Sequence, residues 1–146
     1  SNAGLLDRKD IKKCYSSFFS LVEKNIQNGL LDTNLTDKKI DAIINKINRS
    51  SVDAIWYYNK AYTVTDTFKI IKINTKGKYM SYLKDLGIEY PLVKDYYEKV
   101  YFSGDISPSL IVGIVNNQEN LNLEDVNIKN FLAIHYITIG YGNHGR

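Results

Sequence analysis

Cysteine, histidine and proline are scarce in this chain of 146 residues, and each shortage closes a class of explanation. The one cysteine, Cys14, excludes an internal disulfide framework and the paired-cysteine motifs of zinc and redox sites. It falls among Ile11, Tyr15 and Phe18 at helical spacing, so it reads as a core thiol rather than a nucleophile. The two histidines, His135 and His144, lack a ligand-spaced partner. With Cys14 they supply three N/S donors, and a tetrahedral zinc site wants about four. No metal is expected. His135 lies within an apolar segment and reads as a hydrogen-bonded core histidine, while His144 belongs to the tail.

The two prolines, Pro91 and Pro108, form no linker, and no Gly/Ser-rich break divides the chain, which reads as a single helical domain over residues 4–146. Ser1-Asn2-Ala3 reads as the remnant of a cleaved expression tag, with no initiator Met before Gly4. A trimmed secretory leader is the expectation, hence a bacterial periplasmic or secreted location; cytoplasmic is the alternative. No uninterrupted apolar run approaches the roughly 18 residues that span a bilayer, so no transmembrane segment is expected.

Catalytic signatures are missing as well. There is no GxSxG elbow, no GxGxxG and no GxxxxGK[ST], and Gly140-Tyr141-Gly142 does not open a helix. No cofactor is expected. Carboxylates at helical spacing occur at Asp7 with Asp10 and at Asp37 with Asp41, but Lys38 and Lys39 make the latter a solvated face. The chain therefore reads as a non-enzyme.

What is present is helical periodicity. Ile11, Cys14, Tyr15, Phe18, Leu21, Val22 and Ile26 predict a helix over 8–27 stopped by Gly29. Thr36 caps a second helix through Ile40, Ile43, Ile44 and Ile47; Ser50 or Ser51 caps a third through Ala54, Ile55, Tyr58 and Tyr62. Over 62–73 helix is the preferred reading, with Asp66 as cap, although the Thr, Val and Ile content also suits a minor strand. Tyr79, Tyr82, Leu83 and Leu86 mark a helix that Gly87 would stop, and Pro91 opens the next, which ends at Gly104. Ser107-Pro108 opens another through Val115, with Asn116-Asn117 closing it. The last runs from about Glu124 to Ile139, apolar all round and therefore central. The fold class is all-α: an irregular bundle of six to seven helices, with a minor β element as the alternative near 62–73.

The formal charge of +3 is spread thinly, and the final third is mildly acidic, with Lys129 and Arg146 against Asp105, Glu119, Glu124 and Asp125. Lys69, Lys72, Lys76 and Lys78 stand near Phe68, Tyr79 and Tyr82, a mixture that single-stranded nucleic-acid binders use, but without arginine it reads as a solvated face. No nucleic-acid partner is expected.

The composition departs from the ordinary in its twelve tyrosines. Adjacent helical residues diverge by about 100°, so Trp56-Tyr57-Tyr58 and Tyr96-Tyr97 must each send a ring to the boundary. Tyrosine carries large amphipathic area with only two torsions to freeze, which is why interfaces favour it. Tyr57, Tyr58 and Tyr97 are therefore the candidate contacts of a protein-interaction domain that binds a partner or effector, as small motif-free helical immunity proteins do. The alternative is a helical domain of the cell envelope whose Tyr-lined interior takes a small molecule or lipid.

Overall fold

The computed structural model describes residues 20–23, 35–62 and 64–141. The expected stripe at Ile11, Cys14, Tyr15, Phe18 and Ile26, the stop at Gly29, the Asp7–Asp10 pair and His144 lie outside the described residues. Residues 20–23 are helical, and Val22 enters the core.

Helix α1 spans Asp37–Ile44, begun as expected by Thr36, whose Oγ1 accepts from the Lys39 N–H at 3.3 Å. Its Ile40 and Ile44 are buried, and Ile47 joins them from the turn that follows. Helix α2 spans Arg49–Ile55 and is capped by Asn48, not by Ser50 or Ser51. The Asn48 Oδ1 accepts from the Ser50 N–H at 3.0 Å, which places both serines inside the helix and buries Ser51.

The third helix does not run on to Tyr62. At Trp56 the backbone turns extended (φ −131°, ψ 164°), and strands β1 (Trp56–Tyr62) and β2 (Thr67–Ile73) form an antiparallel hairpin. This corrects the helical reading of 56–73 and bears out the minor β element that was the alternative near 62–73. Aromatic and β-branched side chains lose rotamer freedom in a helix but fit a pleated, half-buried surface. Here alternation sets Trp56 and Tyr58 opposite Ile73 and Ile71, giving the hairpin an apolar face toward the helices. Asp66 caps no helix; its Oδ1 accepts from the adjacent Thr67 N–H at 2.8 Å where β2 begins.

Helices α3 (Lys78–Glu89) and α4 (Pro91–Ser103) fold back on one another. Gly87 does not stop α3. It lies inside the helix where the two backbones meet: a Cβ there would stand 2.8 Å from Lys94 Cα. The stop comes from Tyr90, which Pro91 excludes from helical geometry (φ −118°, ψ 105°). Gly104 ends α4 in the left-handed region at φ 77°, as its position suggests. Helix α5 (Pro108–Asn117) begins with Ser107 Oγ accepting from the Leu110 N–H at 3.3 Å and runs into a short 3₁₀ turn, Gln118–Asn120.

Helix α6 (Val126–Gly140) is the hub, with every residue from Asn130 to Thr138 buried. It runs one residue past the expected end at Ile139, to Gly140, and the next ring, Tyr141, is 4% exposed. Hydroxyl groups tie the surrounding layers to this helix. Trp56 Nε1 donates to Thr138 Oγ1 at 2.8 Å, Tyr82 donates to Asn127 Oδ1 at 2.6 Å, and Tyr136 donates to Gln118 Oε1 at 3.0 Å. Tyr90 donates to Asp125 Oδ2 at 2.9 Å, and Tyr96 meets His135 at the same distance. Much of the tyrosine excess is thus spent inside the fold. The architecture is mostly α with a minor two-stranded sheet.

Candidate functional site

Strand geometry, not helical divergence, divides the run at 56–58. Trp56 points into the core, Tyr57 is 45% exposed on the opposite face, and Tyr58 is half-buried beside Trp56's face. Tyr57 and Tyr58 are therefore not brought together. Tyr57 stands opposite Lys72, whose Nζ reaches Asp105 Oδ2 at 3.5 Å beyond the end of α4.

Tyr58 helps wall a groove between α1, α2 and the hairpin, with a volume of about 410 Å³. Ile44, Ile47 and Val52 give it an apolar floor; Asp41, Arg49 and Lys69 stand around it. A smaller hollow of about 240 Å³ adjoins it toward Trp56 and Asp53. Asp41 is an organising acceptor, taking the Tyr141 hydroxyl at 2.9 and 3.1 Å on its two oxygens and facing Lys69 Nζ at 4.0 Å. Lys69 also lies 4.5 Å from the centre of the Tyr58 ring, and Tyr141 meets that ring edge-on at 6.3 Å. Burial, and then the Asp41 charge, push the Tyr58 phenol above its ordinary pKa; burial and the hydrogen bond to Asp41 do the same to Tyr141. Both remain protonated donors at neutral pH.

Tyr97 belongs to a different surface. It is half-buried on α4 and stacks on Tyr101 at 5.8 Å, and Tyr101 meets Phe102 edge-on at 5.5 Å. Tyr101 is 52% exposed and Phe102 83%, so three linked rings climb from the boundary into solvent. Neither Tyr101 nor Phe102 is among the contacts expected from the sequence. The signal was there in the i, i+4 spacing of Tyr97 and Tyr101, which stacks aromatic rings along one helical face.

His135 is a core histidine. It is 1% exposed, with Nδ1 2.9 Å from the Tyr96 hydroxyl, and burial pushes its pKa down to about 3. Its Nε2 and both polar atoms of Asn130 have no hydrogen-bond partner among the described residues. It does not line the groove that holds Asp41, so the two are not brought together there.

The lysine and aromatic mixture over 68–82 is not gathered on one surface. Tyr79 and Tyr82 are buried and stack on each other at 5.9 Å, while Lys69 and Lys72 alternate to opposite faces of β2. Among the described residues no three His, Cys, Asp or Glu side chains gather to hold a metal, and no helix is long and apolar enough to cross a membrane. Comparison with family models, curated proteins and solved structures gives no match.

Proposed function

We propose that this chain is a non-enzymatic protein-interaction domain that binds a partner or effector protein, with an inhibitory, immunity-type role as the specific form. The observation that carries this reading is the ladder Tyr97–Tyr101–Phe102, whose two outer rings are exposed side by side at the end of α4. Aromatic rings of this kind, anchored at one end by packing, act as hot spots because they desolvate large area from a rigid base. Of the three sequence-derived contacts, Tyr97 supports the ladder from beneath, and Tyr57 is an exposed ring apart from it on the hairpin. Tyr58 serves the groove.

The small-molecule alternative called for a partly open, Tyr-lined interior, and Tyr79, Tyr82, Tyr96 and Tyr136 are packed in the core.

The test is affinity capture with the wild type and a Tyr101→Ser/Phe102→Ser variant, followed by titration of the purified captured protein against both. A weakening of about thirtyfold or more is expected, corresponding to roughly 2 kcal/mol for a lost hot spot. Equal binding by the two chains refutes the assignment.

A further inference from the structure

Lys60 and Lys69 are directly opposite each other across the hairpin, on the same face as Tyr58. Like charges at facing positions destabilise an antiparallel pair. Lys69 is partly offset by Asp41 at 4.0 Å and by the Tyr58 ring. Lys60 is exposed and has no ion-pair partner among the described residues. Below this pair the groove adds Arg49, which uses its Nε on Asp53 at 3.1 Å while remaining 76% exposed. Lys69 and Arg49 thus line a trough together with Asp41, above the buried Ile44, Ile47 and Val52, and Lys60 stands beside Lys69 on the same hairpin face.

We propose that this face binds an acidic segment of a partner protein, with carboxylates on Lys60, Lys69 and Arg49 and a neighbouring apolar side chain laid against Tyr58 in the trough. The juxtaposed lysines are an electrostatic strain that a bound anion relieves, so the surface is complementary to negative charge before any partner arrives. A peptide fits better than a nucleic acid. Asp41 and Asp53 stand within the same hollows and would repel a continuous run of phosphates, whereas spaced carboxylates can pass between them. The ring that lines the trough is half-buried Tyr58, too enclosed to stack successive bases.

The proposal rests on the protein-binding reading for its class of partner but shares no residue with the aromatic ladder, so the two can fail separately. The experiment is fluorescence anisotropy at low salt with three labelled probes: a peptide alternating Glu and Leu, its Lys/Leu counterpart, and oligothymidine. The acidic peptide is expected to bind the intact chain, to weaken about tenfold as salt rises from roughly 50 to 300 mM, and to weaken about tenfold with Lys60→Glu or Lys69→Glu. Lys60→Glu should at the same time raise the urea midpoint, because it turns a like-charge pair into an opposite one. Lys60→Gln carries the same binding test should the charge reversal prevent folding. Absence of binding, equal binding of the basic peptide, tighter binding of oligothymidine, or indifference to Lys60 each overturns the proposal. A chain that holds its captured partner through Tyr101 and Phe102 yet ignores the acidic peptide loses this inference alone.

Discussion

Mild acid should loosen this fold through a single buried imidazole. His135 is 1% exposed on the central helix, its ring set against Tyr96, Phe131 and Tyr136, and Nδ1 meets the Tyr96 hydroxyl at 2.9 Å. Burial lowers its pKa to about 3, against the 6.5 of a free side chain. Between those values the unfolded chain takes up a proton that the folded chain refuses, so stability falls as pH drops below 6.5 and is unaffected by this group above it. The slope is about 1.4 kcal/mol per pH unit, which gives roughly 2 kcal/mol lost by pH 5, before most carboxylates titrate. That figure needs only a folded pKa well below 5. Against a typical total of about 5–15 kcal/mol it is a measurable fraction. Urea unfolding followed by Trp56, the one tryptophan and a buried one, reads it directly. The comparison is with His135→Gln, which cannot titrate; His144 is present in both chains and cancels. If the wild type loses no more stability than the variant between about pH 7 and 5, the reasoning about His135 is wrong.

Three further outcomes follow from packing. Gly87→Ala should destabilise by about 1–3 kcal/mol in urea titration, although alanine is the better helix former, because its Cβ meets the α4 backbone at Lys94. Thr138→Val should cost about 1–3 kcal/mol and shift the tryptophan emission, since it strips the buried Trp56 indole N–H of its acceptor. The Tyr101→Ser/Phe102→Ser variant, by contrast, should change the thermal midpoint little, by less than about 1 kcal/mol in stability, because the rings it removes are exposed. A large loss there would mean that the ladder is structural.

Periodicity was enough to place α1, α3, α4, α5 and the central α6, because each rests on apolar residues at three- and four-residue steps, and all but α3, which starts at Gly77 without a side-chain cap, begin with a capping side chain or a proline. Boundaries failed where a single residue had two uses. Gly87 was legible as a stop, yet its role is the approach of Lys94, a residue whose nearness only the tertiary fold reveals. The hairpin was half legible: Thr67–Ile73 carried a strand alternative, but Trp56–Tyr62 sits directly after a helix and took on that helix's period. Pairing with β2 overrode local preference. For the site, tyrosine abundance marked Tyr97 but could not separate rings held by internal acceptors, such as Tyr82, Tyr90 and Tyr96, from rings left in solvent. That distinction depends on where Asn127, Asp125 and His135 lie, and these are distant in sequence.

The position of the hub helix in chain order has its own consequence for synthesis. Residues 126–140 leave the ribosome after α1 to α5 and the hairpin, at a pace of about 5–20 residues per second. Until they emerge, Trp56, Tyr82, Tyr90 and Tyr96 have no Thr138, Asn127, Asp125 or His135 to meet. A nascent chain halted before this segment therefore displays the apolar inner surfaces of its neighbours, and becomes a client for chaperones or a target for proteases.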